Sequence, residues 1–381
     1  MKIVHIINSL NKGGAEGNLY RLCKFQKKKY KNKIDITILT LIDHGFYESE
    51  LKNLGINIFS LKMTQKSKLF DFIKKISEFR KLIKKKNPNI IQSWMYHSNL
   101  ITLLLPKIFY DKVFWNIRHS ELDFKISKKM TIFISIFCGI FSRIVPKKII
   151  YCSEKSINFH ENKHFYSKKK TVLIDNGYSD KSYYPSNYKR LKFRKINKIS
   201  KTDIIIGYAG RYAKQKNIST LLFAFSKIIK KYNNVYLYMV GNQINFSNNE
   251  LNNLIIDLNI KNKVYLLNHK KNLLQFYNGI DLIVLTSYSE SFSNVLAEAM
   301  LCSTPALSTD VGCSKKIIKD CGFIIENKNQ SSIIRSLKKS IDIIKNNKKK
   351  FKLLKKKSRK HIQNNFSLKK MANSYLKNWI F

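Results

Sequence analysis

The sequence predicts an α/β protein built from two doubly wound, parallel-sheet domains. Three observations carry this. Short β-branched runs alternate with longer helical patterns from end to end, the alternation is interrupted once by a polar stretch around Pro185, and 381 residues exceed what one hydrophobic core usually serves. A hydrophobic fraction of 44% and an aromatic fraction of 12% supply enough apolar surface for a core in each half.

In the first half, strands are expected over Lys2–Ile7, Ile34–Leu41, Ile56–Ser60, Ile90–Trp94, Val113–Arg118, Lys148–Cys152 and Thr171–Ile174, with helices between them. The N-terminus is too short and too quickly polar for a signal peptide and reads as the first of these strands. Lys68–Lys86 reads as one helix, because Phe72, Ile76, Phe79 and Ile83 recur at helical spacing opposite a basic side. That side is either a solvated face or an interfacial membrane helix. The longest apolar run, Thr131–Val145, contains Arg143 and falls short of the roughly 20 residues a spanning helix needs. It is either a buried helix or a segment that dips into a membrane face.

From Ser179 to Lys201 no period is evident, and residues 181–201 are expected to link a first domain, 1–180, to a second, 202–364. The second half resumes with strands near Asp203–Ala209, Val235–Val240, Val264–Leu267, Asp281–Leu285, Pro305–Ser308 and Gly322–Ile325. Helices follow over Ser331–Asn346 and Lys348–Asn364. A last helix, from about Leu368 to Trp379, occupies the C-terminal segment 365–381.

The net charge of +48, from 72 Lys plus Arg against 24 Asp plus Glu, admits compositional drift, an anionic membrane surface or nucleic acid. Lysine runs such as Lys27–Lys29, Lys84–Lys86 and Lys348–Lys350 read as solvated helix faces. No nucleic-acid module accompanies them, so no nucleic-acid partner is expected. Cys23, Cys138, Cys152, Cys302, Cys313 and Cys321 are scattered without C-x-x-C pairs, which fits reduced thiols in a cytosol rather than a disulfide frame or a zinc site.

Doubly wound domains bind ligands at the carboxyl ends of their strands, so the loops there hold the candidates. The first strand is followed by Gly13 and Gly14 and then a helix, a turn that lets backbone approach an anion held at a helix N-terminus. A simple tight turn would look the same. After Asp203–Ala209 come Gly210, Arg211 and Lys216, a fork-shaped and a point-like cation able to share a diphosphate's charge. After Asp281–Leu285, a Ser- and Tyr-rich loop carries Glu290. A helix then begins near Ser293, which is expected to cap it, and Glu298 lies one to two turns in.

Glu290 and Glu298 are eight apart, and Glu-Ser-Phe-Ser-Asn-Val-Leu-Ala-Glu-Ala-Met resembles the E-x7-E signature of family 4 of the retaining glycosyltransferases, which have the GT-B fold. Gly13-Gly14-Ala15-Glu16 is similar to that family's glycine loop. Asp175-Asn176-Gly177 stands where the family has Pro-Asn-Gly, Gly210 to Asn217 resembles its diphosphate loop, and Thr309 to Gly312 its later turn. Asp175 in place of Pro puts the hinge geometry in question. Cys302-Ser303-Thr304-Pro305 lacks a Gly that the family often has.

The resemblance implies two Rossmann-like domains facing across a cleft, with the C-terminal helix crossing back to the first. It implies transfer, with retention, of a hexosyl or N-acetylhexosaminyl group from a nucleoside diphosphate sugar, UDP- or GDP-linked, to a lipid-linked or polysaccharide acceptor hydroxyl. In that reading Gly13 and Gly14 contact the donor diphosphate and Arg211 and Lys216 neutralise it. Ser291, Phe292, Ser293, Asn294, Val295 and Leu296 present backbone to the donor, Glu290 contacts the transferred sugar, and Glu298 holds the ribose. His119 faces the reacting sugar, and His97 is a second candidate for a sugar or acceptor contact. No cofactor is expected, and with no Asp-x-Asp pair in the chain metal independence is expected too. The setting implied is cytoplasmic, peripheral at the inner face of the cytoplasmic membrane, in bacterial surface-polysaccharide assembly. The alternative is a basic membrane- or nucleic-acid-binding protein on an inactive scaffold of the same fold.

Overall fold

The computed structural model describes all residues except His44, 64–68, 123–126, Lys271 and Phe381. Lys68, the first residue of the helix expected over Lys68–Lys86, lies outside the described residues; the helix itself runs Leu69–Lys86. The chain forms two compact units, Met1–Gly177 with Leu368–Phe381, and Tyr178–Ser367.

The first unit holds seven parallel strands, β1 (Lys2–Ile7), β2 (Asp35–Thr40), β3 (Asn57–Ser60), β4 (Ile90–Trp94), β5 (Val113–Ile117), β6 (Lys148–Tyr151) and β7 (Thr171–Leu173), in the order β3-β2-β1-β4-β5-β6-β7. Helices cover both faces, so the central strands are mostly apolar, and β4 and β5 are buried along their whole length. Successive side chains go to opposite cores. Val4, Ile6, Trp115 and Ile117 pack with Phe79, Ile83, Ile132 and Cys138 on one face. Ile3, Ile7, Trp94 and Phe114 pack with Leu19, Leu22, Tyr375 and Trp379 on the other. The last two belong to the helix Leu368–Ile380, which returns to this unit and packs on the helix Gly14–Tyr30.

The second unit holds β8 (Ile204–Ala209), β9 (Val235–Val240), β10 (Val264–Leu266), β11 (Leu282–Leu285), β12 (Ala306–Thr309) and β13 (Phe323–Ile325), all parallel, in the order β10-β9-β8-β11-β12-β13. Strand order reverses between β8 and β11. The loops that leave these two adjacent strands, starting at Gly210 and Thr286, therefore begin side by side at the point where ligands of doubly wound sheets bind.

The expected linker 181–201 is corrected by the structure. It contains the helix Asn187–Ile196, whose Ser186 side chain caps it and whose Phe193 is buried in the second unit. Arg190 and Arg194 both pair with Asp281, which also accepts from the Ile205 N–H at 2.9 Å. The segment is held by ions rather than by an apolar stripe, which is why hydrophobic periodicity did not show it. The apolar run Thr131–Val145 contributes the helix Lys129–Phe141, and among the described residues no helix is long and apolar enough to cross a membrane.

Candidate functional site

In the second unit the loops after β8 and β11 are stitched together by backbone and side chain. Tyr288 N donates to Gln215 O at 2.9 Å, Gln215 Nε2 donates to Ser289 O at 2.7 Å, and Thr286 Oγ1 donates to Asn217 O at 3.1 Å. These bonds bring the Lys216 ammonium onto Glu290 Oε1, which also accepts from Ser287 Oγ at 2.9 Å. Both charged side chains are largely withdrawn from water, at 17% and 13% exposure, so their field is weakly screened. Arg211, on the same loop, is exposed.

A third loop supports Glu290 from behind. Gly312 has φ +53°, and a Cβ there would stand 2.0 Å from the Glu290 carbonyl oxygen, so only glycine fits the turn that lets Cys313 N donate to Ser291 O at 3.0 Å. The helix Asn294–Leu301 then begins. Ser293 occupies its N-cap position, but its side chain makes no capping hydrogen bond, correcting the expected cap. Asn294 Oδ1 is taken instead by the Tyr178 hydroxyl. Phe292 lies against the rings of Tyr178 and Phe366, and Leu296 is fully buried, so these two side chains hold the loop while the backbone of Ser291–Leu296 remains the part able to meet an anion.

Glu298 lies further along the helix Asn294–Leu301. Its Oε2 accepts from the buried Tyr277 hydroxyl at 3.1 Å, and burial together with the Glu298 charge pushes that phenol well above its ordinary range. Tyr277 was missed in the sequence because a tyrosine at helical spacing reads as core. Ser287 and Gln215 were missed because serines and glutamines in loops carry no distinguishing pattern. Cys302, just past this helix, has its thiol pushed up to about 12 by burial and by Glu298, and so offers no thiolate nucleophile. At the turn lacking the family glycine, Ser303 adopts φ +61°, a left-handed conformation that glycine takes without strain.

In the first unit, the candidates stand after the carboxyl ends of β1, β4 and β5, which are adjacent in the sheet. Gly13 and Gly14 are exposed, with Gly13 extended at the N-cap of the helix Gly14–Tyr30 and Glu16 folded back against it. Burial raises the Glu16 carboxyl above its usual range. His97 and His119 are both exposed and flank Tyr96: His97 follows it in sequence, and the His119 ring stands edge-on to it at 5.8 Å. Partial desolvation of its ring, and then the Lys128 charge, lower the His97 pKa. The His119 carbonyl accepts from Ser156 Oγ at 2.5 Å, and the Tyr96 hydroxyl bonds His160 Nε2 at 2.7 Å. Among the described residues no cluster of His, Cys, Asp and Glu could hold a metal ion.

Residues 189–361 match the family model described as Glycosyl transferases group 1. The capsular polysaccharide biosynthesis glycosyltransferase CapM of Staphylococcus aureus is 30% identical over 193 residues, 48% of this chain and 49% of CapM, so the chain spans about half the length of that relative. The uncharacterized glycosyltransferase MJ1059 of Methanocaldococcus jannaschii is 27% identical over 282 residues, 70% of this chain and 68% of the relative. The crystal structure of Anabaena Alr3699/HepE in complex with UDP and glucose is similar with a TM-score of 0.81 at 17% identity, covering 99% of each chain. That likeness carries the fold, which is GT-B: two Rossmann-like units, with the C-terminal helix belonging to the first.

Proposed function

We propose that this chain is a retaining, metal-independent glycosyltransferase of family 4, moving a hexosyl or N-acetylhexosaminyl group from a nucleoside diphosphate sugar to the hydroxyl of a lipid-linked or polysaccharide acceptor. The observation that carries this reading is the convergence of the β8 and β11 loops on Lys216 and Glu290, inside the region matched by the group 1 model. The UDP and glucose of the Anabaena structure favour a UDP-sugar over a GDP-sugar, and the capsular role in CapM's name favours surface-polysaccharide assembly.

The barrier to transfer lies in charge that develops on the departing diphosphate and on the sugar ring, so preorganised charge lowers it most. Lys216 is a partly desolvated ammonium, Arg211 an exposed fork, and the N–H groups at the start of the helix Asn294–Leu301 are aligned donors; together they suit the diphosphate. Glu290, whose carboxylate is shared with Lys216 and Ser287, is assigned to the transferred sugar, and Glu298, set by Tyr277, to the ribose. Gly13 and Gly14 add backbone for the diphosphate, and His119, with His97 as second candidate, faces the sugar or acceptor. The enzyme works in the cytoplasm at the membrane face, where a lipid-linked acceptor is presented, and takes no nucleic acid.

The test is a thermal-shift panel of UDP- and GDP-sugars followed by a transfer assay on the one that stabilises the protein, since a ligand at 100 Kd raises stability by about 2.7 kcal/mol. Glu290→Ala and Arg211→Ala should each lower the transfer rate by about 100-fold. Intact rates in both would remove the site assignment. Salt-sensitive polynucleotide binding without any donor turnover would return the inactive-scaffold alternative.

A further inference from the structure

The helix Lys129–Phe141 of the first unit is apolar on both sides. Ile132, Ser135, Cys138 and Gly139 face the core. Met130, Phe133, Phe137, Ile140 and, just past its end, Ile144 recur at steps of three and four on the outside, between 38% and 65% exposed. The helix cannot turn to hide this stripe. A Cβ on Gly139 would stand 1.6 Å from the His164 carbonyl oxygen, and Ser135 Oγ is bonded to His164 Nδ1 at 2.7 Å, so the inner side is fixed where it lies. Residues 127–153 contain no carboxylate, and Lys128, Lys129, Arg143 and Lys147 adjoin the stripe in sequence; Lys148 is turned away, its Nζ donating to Asn378 Oδ1 at 3.4 Å.

We propose that this face docks the protein on an anionic lipid bilayer, the helix lying in the plane of the interface with the stripe among the acyl-chain ends and the cations at the headgroups. The inference rests on the reading above only where that reading places the reaction at a membrane. Two physical points select lipid as the occupant. An outward apolar stripe flanked by lysine and arginine is the pattern of helices that lie in an interface, and cations near an anionic leaflet add electrostatic attraction. A second copy of the chain is disfavoured, because a two-fold contact sets a patch against itself and would oppose these four cations with no carboxylate of residues 127–153 to offset them.

The experiment uses the full chain and vesicles of phosphatidylethanolamine with phosphatidylglycerol, compared with phosphatidylcholine alone, read by flotation. Binding to the anionic vesicles is expected, weakened but retained at high salt, because salt screens the cations and leaves the apolar stripe. Phe133→Ser with Ile140→Ser should lower binding at least about tenfold while leaving the thermal midpoint unchanged, both side chains being exposed. Phe133→Trp should be quenched by brominated lipid, whereas the native Trp94, Trp115 and Trp379 are buried and should not respond. Absence of vesicle binding, binding untouched by the double substitution, or a dimer that the double substitution dissociates would each overturn the proposal. Donor hydrolysis measured without lipid separates the two readings: its loss in the native protein would count against the transferase reading and leave the docking result standing.

Discussion

Burial pushes the imidazoles of His5 and His160 down to about 3, because neither can be solvated as a cation where it sits. His160 lies 2.7 Å from the Ser156 carbonyl through Nδ1, so Nδ1 carries the proton and Nε2 is left to accept from Tyr96. His5 accepts from Trp94 Nε1 at 3.3 Å on Nδ1. In the unfolded chain both rings titrate near 6.5, so below that pH the unfolded state binds more protons and stability falls, until the folded-state values near 3 are reached. Above pH 7 the two rings contribute no slope. By pH 5 each should have cost roughly 2 kcal/mol, at about 1.4 kcal/mol per pH unit. Urea midpoints measured from pH 7.5 to 5 should therefore fall, and His160→Gln should flatten part of that fall; a slope identical to the native protein's would refute the assignment.

The helix Asn187–Ile196 and the strands show what pattern can and cannot reveal. The strands were legible because both of their faces are buried, so β8 and β11 appear as apolar runs between polar loops, and β4 and β5 do so with only Gln92, Ser93 and Asn116 interrupting them. The Glu290 loop was legible for a different reason: its chemistry is local in sequence, with strand, loop, carboxylate and helix following one another. What joins that loop to the rest is not local. Lys216 meets Glu290 across 74 residues and Tyr178 meets Asn294 across 116, and no spacing rule predicts such pairs. The helix Asn187–Ile196 was hidden in the same way, since Arg190 and Arg194 find Asp281 about 90 residues on. The Asp281 and Arg194 side chains are each only 8% exposed, so removing the carboxylate strands two guanidinium groups in a poorly solvated place. Asp281→Asn should lower the stability of the second unit by about 3 kcal/mol, read as a shift in its urea midpoint. Asp320→Asn, which breaks an exposed pair with Lys357, should leave the midpoint nearly unmoved.

Across the whole chain, the first unit is discontinuous, and its completion depends on a segment that follows the second unit. The net charge of +48 is shared about equally between the units, so it singles out neither. The helix Leu368–Ile380 instead supplies Met371, Ala372, Tyr375 and Trp379 to one core face of the first sheet. It also completes a buried polar network. Arg118 donates to Asn116 Oδ1 at 2.6 Å, to Asn176 and to the Tyr375 hydroxyl, and Trp379 Nε1 donates to Gln92 Oε1 at 3.0 Å. Losing Tyr375 and Trp379 to truncation costs about 3–5 kcal/mol each, against a total of about 5–15 kcal/mol for a folded domain. Arg118 would then keep its charge beside an opened core with one acceptor gone. A chain ending at Ser367 should therefore lose hydrogen-exchange protection in β4 and β5 while β8 and β11 stay protected, because no core residue of the second unit comes from the deleted segment. Equal protection of both sheets in the truncated chain would show that the first unit closes its core without that helix.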